Sequence, residues 1–519
     1  MQSKSTYMNR LSRYLALTCI VLVVGGGIVG AVPPMPGLGL KEPVHPRIHK
    51  VDNGIRSAAA RRNGNGDMRG LVILAEYSNL GFQPENDRDG FDSLMNAVNY
   101  TYNNATGSVR KYYADQSNGL FDMQFDVVGP VLLPHEMAYY GTDVDTDAGD
   151  YDQYSADLVM DACFIADSVW NVDFSQYDRD GDGVIDFVFI IYAGYGQADG
   201  GASTTIWPHE WDIEAVLAFG YTNQSEYYCD YDPNTGIIHG ENLPVLDGCT
   251  LMSYACSNER RRSGGVRNGI GTACHEFGHV LGLPDHYLTT YDPPMEDAGE
   301  EPYNWSVMSH GSYNNNGRTP PNLSVFDEYT LGWITPEQLS GYRSVTMPAD
   351  GQTYYAYTDG TLSATSPDTI WYFENRQCSG WDEYLPGWGM LVWRVVYNEE
   401  DWNDNAINDY STRLALQSAD GVSKPHYSGG AGSQPGVPFP GSANVKSYQP
   451  VGGCQLTNIS TNTDNSASFI FGSGPTDLED SRLLEESRKG PWYDVLGRII
   501  SSQDVPNSTF LQKNRIIIW

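Results

Sequence analysis

The stretch that most constrains this chain is His275-Glu276-Phe277-Gly278-His279-Val280-Leu281-Gly282-Leu283-Pro284-Asp285, which reads H-E-x-x-H-x-x-G-x-x-D. Residues four apart share one face of a helix, so His275 and His279 present two imidazoles to one metal ion. Glu276 follows the first histidine and reaches a water on that metal without being a ligand itself. A glycine three residues past the second histidine takes the left-handed conformation that ends a helix and turns the chain back. That turn brings Asp285 round as the third ligand. Two imidazoles and one carboxylate leave a tetrahedral position open for water, the arrangement of a catalytic zinc. The zinc acidifies the water and Glu276 takes its proton.

Around this helix the chain has room for several domains, at 519 residues. With 35 Tyr, 12 Trp and 55 Gly it reads as loop-rich and β-containing rather than as a helical bundle. A net charge of -34 argues against nucleic acid as a partner. Lys4, Arg10 and Arg13 precede an apolar run from about Tyr14 to Val32 that closes on the small residues Val29-Gly30-Ala31. This is the pattern of a secretory signal, with an uncleaved anchor as the alternative, and it predicts a secreted or cell-surface protein. A leader follows over 32–66, with Arg61-Arg62 as a candidate maturation site. Without Cys19, seven cysteines remain; export permits disulfides, and a pair among Cys229, Cys249 and Cys256 is expected.

Arg69 to Tyr77 is a continuous apolar run and reads as a buried strand. Phe91 to Asp115 reads as helix, Asp122 to Leu133 as strand, Ala156 to Val169 as helix and Phe187 to Tyr192 as strand. Between the last two lies Asp178-Arg179-Asp180-Gly181-Asp182-Gly183-Val184-Ile185-Asp186. Alternating carboxylates with glycine at the sixth position resemble a calcium loop, so Asp178, Asp180, Asp182 and Asp186 are candidate Ca²⁺ ligands. The glutamate of a helical calcium hand is missing; Phe189 stands there, and Asp186 closes the site instead. Strands separated by helices predict a largely parallel sheet beneath the metal helix. His209 reads as a locally satisfied histidine rather than a ligand. Asn322 to Trp333 reads as helix.

From about Arg343 the pattern changes to short strands, aromatics and Gly/Pro turns, including Thr369 to Glu374 and Gly389 to Tyr397. The expected organisation is a signal peptide over 1–31, a leader or pro-region over 32–66, a zinc metalloprotease domain over 67–340, a β-rich domain over 341–474, and a linker with a terminal β module over 475–519. The fold class is α+β: a twisted, mostly parallel sheet with an active-site helix, then a sandwich-like β domain.

The metal stretch ending Gly-Leu-Pro-Asp resembles that of the immune inhibitor A family of secreted bacterial metalloproteases, which group with the metzincins. So do Gly107 to Tyr113, Phe125 to Pro130, the Asp178 to Asp186 loop, Ile206 to His209 and Leu331-Gly332-Trp333. The resemblance spans roughly residues 68 to 472. It implies a zinc protease fold with His275, His279 and Asp285 as ligands and Glu276 as general base. It also implies that Met308, otherwise an ordinary core methionine, is the methionine-turn residue packed beneath the metal. Relatives carry His and Asp in the strand that here reads Trp393-Arg394-Val395-Val396. Tyr493 to Arg498 resemble the sorting module of type IX secretion, which makes the secretion machinery an expected partner.

Together these readings predict a monomeric, zinc-dependent endopeptidase acting on proteins or peptides, with Ca²⁺ as a second, structural ion. His310 or Tyr313 is a candidate helper at the oxyanion. One rival keeps the metal but takes Glu328 or His286 as third ligand; the Gly282 spacing argues against it. Another is a non-catalytic adhesin on a protease-derived scaffold, against which the intact Glu276 speaks.

Overall fold

The computed structural model describes residues 30–35, 68–146, 149–232, 237–261, 265–289, 300–409, 411–422, 435–450 and 452–473, with short strands at Trp492–Tyr493, Ile499–Ile500, Phe510–Gln512 and Arg515–Ile517. Most of the expected signal run, the Arg61-Arg62 site and the linker after 473 lie outside the described residues. No helix among the described residues is long and apolar enough to cross a membrane.

Six strands build the sheet that carries the site: β1 (Gly30–Ala31), β2 (Met68–Glu76), β3 (Met123–Leu132), β4 (Val188–Tyr195), β5 (His209–Asp212) and β6 (Ser253–Arg260). Their order is β1-β5-β6-β4-β2-β3. β3, β2, β4 and β6 run parallel, and β5 is antiparallel to both β6 and β1. The apolar runs of β2 and β4 are buried on both faces, as a covered parallel sheet requires. Their side chains alternate with period two. Leu71, Ile73, Val188 and Ile190 face one core with helix α3 below (Ser155–Trp170); Val72, Leu74, Phe189 and Ile191 face the metal helix.

The helix expected over Phe91 to Asp115 is two helices, α1 (Arg88–Asn96) and α2 (Val109–Gln116). Asn103 and Asn104 between them adopt left-handed φ of 54° and 65°, and the Ser108 hydroxyl accepts from Lys111 N–H at 3.1 Å to restart the helix. The helix expected from Asn322 to Trp333 is only α5 (Val325–Thr330), opened by a capping box between Ser324 and Asp327 and closed at Gly332, φ 72°. Between α3 and α5 lies α4 (Gly271–Val280), whose residues are all buried.

The later region holds two facing sheets. One has the order β7 (Glu337–Gln338), β9 (Tyr355–Tyr357), β10 (Thr369–Arg376), β11 (Gly389–Val396), β12 (Leu414–Leu416); the other has the order β8 (Arg343–Met347), β14 (Ala467–Phe471), β13 (Leu456–Thr461). Phe373, Val392, Met347, Leu456 and Phe469 interdigitate between them, as in a sandwich. The opposite face of the larger sheet buries Tyr372, Leu391 and Trp393 against Trp305 and Phe326 of the first region. Buried Arg376 locks the two regions: it pairs with Glu374 at 3.1 Å and donates to the carbonyls of Asn322 and Leu323 at 2.9 and 2.5 Å.

The expected disulfide is not formed. All seven described cysteines are free thiols; Cys249 Sγ lies 3.6 Å from Asp178 Oδ2 and Cys256 Sγ 3.4 Å from His209 Nδ1.

Candidate active site

Helix α4 enters the core through glycines. A Cβ on Gly271 would lie 1.9 Å from the Ser312 carbonyl oxygen, so only glycine lets the helix approach that backbone. Phe277 packs edge-on against Tyr113 and Phe187, at 5.1 and 5.4 Å between rings, and the Tyr113 hydroxyl donates to the Cys274 carbonyl. These contacts turn His275, Glu276 and His279 to the opposite side. Gly282 takes φ 99°, and Leu283 N–H donates to Gly278 C=O at 3.0 Å, closing the helix as the spacing predicted.

The chain then returns Asp285 to the histidines. Its Oδ1 lies 3.1 Å from His275 Nε2 and 3.2 Å from His279 Nε2, and the two Nε2 atoms are 3.1 Å apart. All three side chains are fully buried. His275 Nδ1 sits 2.8 Å from the Val307 carbonyl and His279 Nδ1 2.8 Å from the Leu283 carbonyl. A carbonyl only accepts, so each Nδ1 carries the proton and each Nε2 points its lone pair into the triangle. Among the described residues, Asp285 Oδ1 meets no hydrogen-bonding group apart from these two nitrogens.

Burial pushes the His279 pKa down. Burial works against Asp285 ionising, yet the two imidazoles, in their protonated form, hold its carboxyl well below the usual carboxylate range by charge and N–H donation. A neutral imidazole beside an ionised carboxylate is the state in which both ligate a metal.

Three converging acceptor atoms in a dry pocket repel one another unless a cation joins them. Tetrahedral zinc, with bonds of about 2.0–2.1 Å, separates its ligand atoms by roughly 3.3 Å, so the observed triangle fits it. Glu276 also offers an oxygen within 4.8 Å of both histidines, but its Oε1 accepts Val32 N–H at 2.9 Å. That places Glu276 beside the triangle.

Below α4 runs Ser306-Val307-Met308. A Cβ on Gly278 would meet Met308 Sδ at 2.5 Å, so the fully buried methionine lies directly under the helix. The rival ligands face elsewhere. His286 Nδ1 is 2.8 Å from Ser306 Oγ and its Nε2 3.3 Å from Asp327; Glu328 sits among Tyr354, Glu374 and Arg376. His209 is satisfied locally, with Nδ1 2.6 Å from the Trp207 carbonyl and Nε2 2.8 Å from Tyr254 Oη.

Residues 32–35 lie along the mouth of this pocket. β1 is the edge strand and pairs with β5, Trp207 Nε1 donates to Val32 C=O at 3.1 Å, and the Tyr313 hydroxyl donates to Pro33 C=O at 2.5 Å. Met35 N–H continues to Ala198 C=O at 2.8 Å. His310 instead neighbours Glu301, at 3.8 Å. Neither Trp207 nor this segment was singled out as a site feature from the sequence, where nothing joins positions so far apart.

In the acidic loop, Asp178, Asp180 and Asp182 gather oxygens within 4.8 Å of one another. Asp178 accepts from the N–H groups of Gly181, Asp182 and Gly183 at 2.8–3.1 Å. Asp186 does not join them. It is buried, 4.0 Å from Arg179, and burial raises its pKa to about 6.

The mixed α/β fold and the buried donor set are consistent with a metallopeptidase catalytic domain, and the likeness to known proteins makes the chain a metallopeptidase. The catalytic-domain model of the immune inhibitor A peptidases, M6, matches residues 74–241 and 262–335, so the chain carries a domain of this family there. It is 28% identical to immune inhibitor A of Bacillus thuringiensis subsp. alesti over 318 residues, 53% of this chain and 42% of that one. It is 27% identical to the pre-pro-metalloprotease PrtV of Vibrio cholerae serotype O1 over 275 residues, 48% of this chain and 27% of that one. A putative secreted metallopeptidase of Arthroderma benhamiae is 23% identical over 226 residues, 40% of this chain and 30% of that one. The chain thus spans less than half the length of these relatives.

Proposed function

We propose that this chain is a secreted, zinc-dependent endopeptidase of metzincin type, with His275, His279 and Asp285 as ligands and Met308 as the methionine-turn residue. The observation that carries the reading is the buried triangle of two imidazole Nε2 atoms and one carboxylate oxygen, 3.1–3.2 Å on each side. Zinc, when bound there, polarises the scissile carbonyl and acidifies water. Glu276 takes the proton of the attacking water and passes it to the leaving amine. The Tyr313 hydroxyl, already a donor to a peptide carbonyl in the cleft, supports the developing oxyanion. The substrate lies extended along β5 in the place that β1 occupies here, where main-chain pairing holds it.

In a zinc-loaded Glu276→Ala protein, kcat/KM on casein peptides is expected to fall by about 10²–10⁴ with zinc content unchanged. Full activity would refute the mechanism. Chelator-insensitive ligand binding without any cleavage would favour the adhesin.

Residues 32–66 act as a pro-region in this reading, supported by Val32 and Pro33 lying on Glu276, Trp207 and Tyr313. A protein beginning after Arg62 is expected to hydrolyse peptides faster than one beginning at Val32; equal rates would remove the pro-region from the scheme. The proposed units remain 67–340 for catalysis, 341–474 for the β-rich domain and 475–519 for a sorting module. If that module directs export, chains lacking 475–519 stay out of the medium. Asp178, Asp180 and Asp182 hold Ca²⁺, and the enzyme works on proteins as a monomer.

A further inference from the structure

A carboxylate ligand at the end of a turn can rotate, and its second oxygen needs a partner to stop it. Here the partner comes from the other half of the molecule. Helix α6 (Glu399–Asn403) follows β11, and the chain then turns at Asn405, which adopts a left-handed φ of 51°. The buried Asn405 carboxamide meets Asp285 at two points. Its Oδ1 accepts Asp285 N–H at 2.6 Å, and its Nδ2 donates to Asp285 Oδ2 at 2.5 Å. One planar amide therefore sets both the backbone and the carboxylate of the same residue. With Oδ2 so held, Oδ1 is the oxygen left facing the two imidazoles.

The neighbours of Asn405 hold the same segment but not the carboxylate. Asn408 Nδ2 donates to His286 C=O at 2.9 Å, while Asp409 accepts Thr289 N–H and hydroxyl at 2.8 and 2.9 Å. These are anchors for chain 286–289. Of these three side chains, it is Asn405 that hydrogen-bonds a proposed ligand.

We propose that Asn405 is the positioning residue for Asp285, so that the β-rich region completes the metal centre rather than merely bracing it. The inference rests on the zinc reading above. Groups that orient ligands in this way affect metal affinity by about 10- to 100-fold. The amide chemistry is specific. An aspartate at 405 has the same shape but no N–H to offer, and sets a second carboxylate against Oδ2.

The test compares the chelator-stripped full chain with Asn405→Ala, Asn405→Asp, Asn408→Ala and Asp285→Ala, titrated with Zn²⁺ against a chromophoric chelator. Visible spectra of the Co²⁺-loaded proteins and thermal midpoints of the metal-free proteins are recorded alongside. Both Asn405 variants are expected to bind Zn²⁺ about 10- to 100-fold more weakly and to shift the Co²⁺ bands. Asn408→Ala should lower the thermal midpoint with affinity and bands unchanged. Wild-type affinity and spectrum in both Asn405 variants would overturn the proposal. So would an equal loss of affinity in Asn408→Ala, which would make the effect one of general loosening. Wild-type affinity in Asp285→Ala would sink the ligand assignment itself, and this proposal with it. Should Asn405→Ala fail to fold, the isosteric Asn405→Asp decides between these results.

Discussion

The buried histidine–aspartate triangle and the exposed acidic loop are both candidate metal sites, built on opposite plans. In the loop, Asp178, Asp180 and Asp182 are oriented by backbone N–H groups within five residues of each carboxylate. In the triangle, Val307 orients His275 and Asn405 orients Asp285 from 32 and 120 residues away, Leu283 holds His279 from within the same turn, and Met308 lies beneath the helix. A loop that arranges its own carboxylates needs little from the fold. A dry site of like-natured donors must be over-determined by its surroundings.

The deepest break is expected at Met308. Met308→Ala opens a cavity under α4 and should cost about 2–5 kcal/mol in urea unfolding, with zinc affinity falling as the helix relaxes. A loss confined to stability would separate the methionine from the metal centre.

Protons give the next test. Burial holds the His209 pKa near 4, below its ordinary 6.5. The folded state therefore disfavours the proton; the contribution is fully present above pH 6.5 and is lost as pH falls towards 4. The difference in unfolding free energy between wild type and His209→Gln should shift by about 3 kcal/mol against the wild type across that window. A pH-independent difference would mean that His209 titrates normally.

The smallest effect belongs to the loop. Removing Ca²⁺ with EGTA should lower the thermal midpoint by a few degrees and leave zinc content and casein hydrolysis nearly unchanged. Asp180→Asn should reproduce the shift and abolish its dependence on Ca²⁺. Loss of activity on EGTA treatment would show that the two sites are coupled.

The parallel core strands, helix α3, the Gly282 turn and the loop carboxylates were all legible in the sequence. Each follows from spacing within a dozen residues or from an unbroken apolar run. The break between α1 and α2 was not, because two left-handed asparagines and a serine cap outweigh a helical apolar pattern. Asp186 fitted the loop pattern yet turned into the core. Its alternation with the other carboxylates is a local signal, while its burial is set by the neighbouring strand.

The sequence by itself determined the donor types, their order and the turn between them, since helix periodicity and one glycine dictate which side chains share a face. Tertiary structure alone decided which nitrogen of His275 carries its proton, which oxygen of Asp285 faces inward, and that Val32 lies against Glu276. Those outcomes depend on partners between 32 and 244 residues away, brought together by packing that no local pattern encodes.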